Sequence, residues 1–201
     1  MNFTSTRLFE YIPKIIIPAL FATLRMLLFS MIISVIFGTV IGIVLTVTGS
    51  GDLKENKKIY GIVSFLVNTI RAFPVIILIV AITPLTKLIA GTSIGEQAAI
   101  VPLSIAATPV IARLIQSSFD EVDRNLIIAA KSFGASTMKI IFKVLFVEAI
   151  PSIISGLTTT TILFLGSITL AGAVGAGGLG AVALTYGYQR FDDAVMYTIV
   201  F

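Results

Sequence analysis

Cysteine and histidine are both absent from the 201 residues, and charged side chains make up only 12% of them. The first absence removes the thiolate nucleophile, the imidazole base and the two usual ligands of transition metals, so soft-metal and Cys/His chemistry are excluded. No disulfide can form, and cysteine usage therefore says nothing about redox compartment. The shortage of charge is a matter of solvation. Soluble domains are roughly 25% charged, and the density here cannot coat a globule of this size. With residues of the AVILMFWYC set at 57% of the chain, much of the surface must face lipid.

The charge that is present is basic, 14 Lys and Arg against 10 Asp and Glu. These cations are scattered between apolar runs and form no aromatic-rich basic face, so a nucleic-acid partner is not expected. Arg7 and Lys14 precede an apolar run as the basic region of a secretory signal would. The run continues from Ile15 to Val47 without a convincing small-residue cleavage site, and it reads as a retained span.

A hydrocarbon core of roughly 30 Å requires about 20 apolar residues per helix. Five candidate spans follow, within one all-α transmembrane domain over residues 1–201: 19–47, 59–82, 98–115, 150–170, and a last one that begins near Ala194 and holds only eight residues by Phe201. A further C-terminal piece is therefore expected. The cluster Thr48-Gly49-Ser50-Gly51-Asp52 ends the first span. Lys54, Lys57 and Lys58 follow it, and Arg113, Arg124, Lys131, Lys139 and Lys143 lie in the segment from Arg113 to Val147. The intervening loops offer only Lys87 and Arg190. The positive-inside rule puts the two basic loops in the cytoplasm and the N-terminus outside, a contrast weakened by Arg7, Lys14 and Arg25.

The connection over residues 120–147 has its own punctuation. Asp120, Glu121 and Asp123 lead into Arg124 to Phe133, and Gly134 follows, which predicts a short helix with an acidic start and a glycine stop. Ser136 or Thr137 can cap a second helix that runs through Lys139 and Lys143 toward the fourth span. Leu126, Ile127, Ile128, Ala129 and Ala130 give a water-exposed loop an apolar, small-residue surface. Such a patch reads either as an amphipathic helix lying in the membrane interface or as a partner's docking site.

Arg71 falls about twelve residues into the second span, and so near mid-depth at about 1.5 Å per residue. An arginine there costs about 2.5–3.5 kcal/mol on insertion scales and should face protein or water. Pro74 frees a backbone carbonyl that Arg71 can meet, and this structural role competes with a role toward a solute. Pro84, Pro102 and Pro109 point to further kinked or broken helices. Gly175, Gly177 and Gly180 have GxGxxG spacing, but they follow a span and precede Asp192 and Asp193 by about a dozen residues, which does not fit a soluble dinucleotide-binding unit. Sharp turning and close packing at an outer mouth fit them better. Glu148 reads as an anchor at the start of the fourth span, and the hydroxyls of Ser155 and Thr158 to Thr161 as helix packing. No pair of carboxylates has acid/base spacing, and no GxxxxGK[ST] loop is present.

The run Ile128-Ala129-Ala130, three residues, Gly134, then Val144-Leu145-Phe146-Val147 resembles the EAA loop of binding-protein-dependent ABC importers. In that loop EAA, three residues and Gly precede I-x-L-P by nine residues. Ala129, Ala130 and Gly134 match; Ile128 stands where Glu is usual, Val144 for Ile, Phe146 for Leu and Val147 for Pro. Three longer stretches are similar to the permease subunits of methionine importers within that family: Arg71-Ala72-Phe73-Pro74; Gly91 to Gly95 with Gln97 to Leu103; and Gly172 to Gly180 with Tyr186-Gly187-Tyr188. The resemblance runs over nearly the whole chain from the first span.

It implies a type I ABC importer fold of about five spans with a cytoplasmic coupling helix, in the inner or plasma membrane of a bacterium. Ile128, Ala129, Ala130 and Gly134 would dock a separate ATPase dimer, which would carry ATP and Mg. The chain itself would be no enzyme and hold no metal or cofactor. A homodimer is expected, because five spans enclose little alone, and an extracytoplasmic methionine-binding lipoprotein would deliver the solute. Arg71, Phe73, Pro74, Thr108, Thr169 and Leu170 are the expected translocation path. Import of another small amino acid or of a betaine, and stand-alone secondary transport, remain as alternatives.

Overall fold

The computed structural model describes residues 11–49 and 53–200. Arg7, the turn residues Ser50, Gly51 and Asp52, and Phe201 at the end of the fifth expected span lie outside the described residues. Every element described is a helix: α1 (Ile12–Thr48), α2 (Lys57–Ala72), α3 (Val75–Ala81), α4 (Thr83–Ala90), α5 (Glu96–Asp120), α6 (Arg124–Ser132), α7 (Thr137–Ala176), α8 (178–189) and α9 (Asp193–Val200).

Three of these, α1, α5 and α7, are individually long and apolar enough to cross a membrane, and α2 with α3 passes as a broken fourth. Pro74 makes that break. It has ψ 134°, and α3 starts immediately behind it, with the Leu78 N–H donating to the Pro74 carbonyl at 3.0 Å. Pro84 opens α4 near its first turn, where a missing N–H costs nothing. Pro102 and Pro109, by contrast, lie within the continuous helix α5. The second short helix of the connection is not separate: it runs on from Thr137 into the fourth span as α7.

The chain divides into two compact units. The first holds the described residues of Met1–Ile32, Phe73–Ile105 and Leu163–Phe201, and the second Ile33–Ala72 and Ala106–Ile162.

In the second unit, α1 and α5 meet along a small-residue seam. A Cβ on Gly38 would stand 2.8 Å from the Ile111 Cβ and 2.9 Å from the Thr108 carbonyl; one on Gly42 would stand 2.7 Å from the Ile115 Cβ and 2.8 Å from the Ala112 carbonyl. Glycines four apart on one helix face are what let two membrane helices pack backbone to backbone. Leu45, Val67 and Ala112 form the buried core beside the seam. Arg113 then ties α5 to α2. Its guanidinium donates to Gln116 Oε1 at 2.7 Å, to Asn68 Oδ1 at 3.1 Å and to the Ser64 hydroxyl. Ser64 and Asn68 are one turn apart on α2, so the planar fork meets two acceptors on one helix face.

In the first unit, Thr23 of α1 links to the start of α8. Its hydroxyl donates to the Ala19 carbonyl at 3.0 Å and accepts from the Leu179 N–H at 2.9 Å, capping an N-terminal amide that α8 itself cannot satisfy. Arg25 pairs with Glu96 at 3.2 Å, so a charge well inside the apolar run of α1 is neutralised by the first residue of α5. The glycine run breaks α7 as expected: Val174 and Gly175 leave helical geometry, and the Gly175 carbonyl accepts from the Gly95 N–H at 2.9 Å.

Candidate functional site

Helix α6 is nine residues long and has no buried residue. Its ends follow from sequence. The Asp123 carboxylate accepts from the Asn125 N–H at 2.9 Å, an N-cap that satisfies one of the free amides. At the other end Gly134 has φ +74°, and its N–H donates to the Lys131 carbonyl at 2.9 Å while that of Ala135 donates to the Ala130 carbonyl at 3.0 Å. This left-handed turn is the helix stop for which glycine is suited. Ser136 then caps α7 through the Lys139 N–H at 3.4 Å.

The helical repeat sorts α6 into two stripes. Leu126, Ala129, Ala130 and Phe133 share one face, and Arg124, Ile127, Ile128 and Lys131 the other. On the first, Leu126 is 41% exposed and Phe133 91%; Ala129 is exposed and Ala130 half-buried. Of the residues expected to dock a partner, Ala129, Ala130 and Gly134 therefore cluster on or beside one apolar face, and Ile128 belongs to the opposite stripe. Phe133, the most exposed apolar side chain of this segment, was overlooked in the sequence. Its position one residue before a glycine stop, in line with Leu126 and Ala129 at helical spacing, was the available signal.

The expected path residues divide between the units. Arg71, in the last turn of α2, is exposed and has no hydrogen bond or ion pair among the described residues, so the carbonyl partner expected near Pro74 is not observed. Thr108 belongs to the same unit, in the seam of α5 against Gly38. Phe73, Pro74, Thr169 and Leu170 belong to the other unit. Phe73 is 50% and Leu170 52% exposed. Thr169 donates its hydroxyl to the Leu165 carbonyl at 2.9 Å, and its own carbonyl lies so close to Gly180 that no Cβ would fit there. One cavity of about 20 Å³ in this unit is lined by Thr83, Thr86, Ser93 and Gly175 among others, and by none of the four. No group of three or more Asp and Glu able to hold a metal occurs among the described residues.

The described residues form membrane-crossing helices with a short amphipathic helix exposed between two of them, the arrangement of a multi-pass membrane protein. The chain belongs to the binding-protein-dependent transport system inner membrane component family, whose profile matches residues 38–201. It is 41% identical over 186 residues to the probable D-methionine transport system permease protein MetI of Vibrio cholerae, covering 92% of this chain and 83% of that one. It is 43% identical over 153 residues to the methionine import system permease protein MetP of Bacillus subtilis, covering 76% and 69%. Among solved structures, an inward-facing MetNI methionine ABC transporter matches with a TM-score of 0.92 at 40% identity, covering 95% of this chain and 88% of that one. An amino acid ABC transporter with histidines, 22% identical with a TM-score of 0.78, shares the fold. The fold is thus that of a type I importer permease, and the chain is a multi-pass inner-membrane protein whose family consists of transport components and not of enzymes.

Proposed function

We propose that this chain is the permease of an ATP-driven importer of methionine, in its D form, its L form or both. The observation that carries the reading is 41% identity to a D-methionine permease over 92% of the chain, with a methionine transporter as its structural neighbour at similar identity. Two copies form the path between them, as a closed two-fold assembly allows. An extracytoplasmic binding lipoprotein delivers the amino acid, and two ATPase subunits, which hold ATP and Mg, dock on the Leu126, Ala129, Ala130 and Phe133 face of α6. Nucleotide-driven closure of those subunits moves α6 and biases an equilibrium between inward-open and outward-open states. Arg71, Phe73, Pro74, Thr108, Thr169 and Leu170 line the route.

The test is uptake of labelled methionine in cells stripped of their own methionine importers and supplied with this chain, its ATPase and its binding protein. Saturable uptake that excess methionine blocks and excess betaine or another small amino acid does not is the expected result. Uptake that persists when the ATPase is omitted would mean a stand-alone transporter, and block by betaine a different solute.

A further inference from the structure

In the second unit, a cavity of about 200 Å³ lies beneath α6. It is bounded by Thr46 near the end of α1, by Phe119 and Asp120 at the end of α5, and by Leu145 of α7. The three helices that are individually long enough to cross a membrane all contribute, so the cavity lies toward the ends of their apolar lengths. The stripe of α6 that faces it is Arg124, Ile127, Ile128 and Lys131, two isoleucines flanked by cations two turns apart. Both cations are exposed, and neither has a hydrogen bond or ion pair among the described residues. Among the described residues of the lining, Arg124 and Lys131 are the cations and Asp120 is the acid.

Unpaired cations at the rim of an apolar hollow fit a ligand that is an anion at one end and hydrocarbon at the other. A free phosphate would use the rim and leave the walls of Phe119, Ile127 and Leu145 uncovered. We propose that this cavity seats the headgroup of an anionic phospholipid from the leaflet next to α6. The phosphate lies between Arg124 and Lys131, the glycerol ester region rests on the apolar walls, and the acyl chains run outside along the spans. Basic pockets at this depth are suited to such headgroups. The lipid occupies the face of α6 opposite the partner-docking stripe and holds the helix against the spans. The site does not depend on which solute is carried.

Native mass spectrometry of the detergent-purified full chain, offered phosphatidylglycerol and phosphatidylcholine of identical acyl chains in equal amounts, tests this. The wild-type chain is expected to retain phosphatidylglycerol by a factor on the order of tenfold, the worth of two basic groups beside an anionic headgroup after screening. The double variant R124Q/K131Q, altered only at exposed positions, is expected to bring the ratio near one. Ile127→Trp, which fills the hollow and keeps both cations, is expected to do the same. Equal retention of the two lipids by the wild-type chain, or an undiminished preference in both variants, overturns the proposal. So does displacement of phosphatidylglycerol by millimolar inorganic phosphate, which would make the site one for a free anion.

Discussion

Two residues illustrate how narrowly single positions are constrained. Gly134 has φ +74° and nothing within 4 Å of where a Cβ would stand, so the cost of substitution there is one of backbone alone, on the order of 1–2 kcal/mol for an ordinary L residue in the left-handed region. Gly134→Asn should therefore keep the stop of α6, since Asn tolerates that region, and Gly134→Val should fray it. Amide hydrogen exchange over 124–135 is the readout, with faster exchange in the valine variant alone. At Arg113 the constraint is one of contacts. Arg113→Met leaves Ser64, Asn68 and Gln116 without their shared donor and should cost about 2 kcal/mol, seen as a drop of several degrees in the thermal midpoint in detergent. Arg113→Lys should recover part of it, because one ammonium cannot span the acceptors that the fork reaches. Neither this clamp nor the pairing of Arg25 with Glu96 was legible in the sequence. Gln116 apart, the partners lie 45 and more residues away in sequence, and nothing local marks one cation for a distant oxygen.

At the scale of elements, the helices themselves were readable. Membrane spans are announced by length and greasiness, and α6 is bounded by residues whose chemistry sets a boundary, Asp123 as cap and Gly134 as stop. The phase of α6 was not readable. Both of its stripes contain apolar residues, so five neighbours from Leu126 to Ala130 looked like one surface until packing turned Ile127 inward and left Phe133 outward. The interruption at Pro74 was half legible, because proline predicts a break and not what the freed groups then do. Asp123→Ala should cost α6 about 1 kcal/mol through the lost cap and lower the coupling of ATP hydrolysis to uptake without abolishing it. Ala129→Trp, in the centre of the outward stripe, should abolish co-purification of the ATPase, while Ile128→Ala on the other stripe should leave it in place. Equal loss from both substitutions would contradict the assignment of faces.

For the whole molecule, the sparse charge that first separated this chain from soluble proteins also fixes how it must be handled. With Phe21, Ile36, Phe37 and Phe65 all more than half exposed, the purified chain is expected to precipitate when detergent is withdrawn and to disperse again in lipid. The candidate site was legible only in outline. The EAA-like spacing picked out the segment that forms α6, because a short helix is built from contiguous residues. The residues proposed for the path come from distant parts of the chain, Arg71 and Thr108 from one unit and Phe73 and Thr169 from the other, and leave no comparable signature. The seam of Gly38 and Gly42 has a mechanical consequence. A lever transmits force only if it does not flex, and two helices whose backbones already touch have no slack to absorb a push. On the proposed mechanism, a push on the end of α5 through the segment that follows it would reach α1 directly. Widening that seam with Gly42→Leu should therefore uncouple ATP consumption from transport even where the chain still folds and the ATPase still binds.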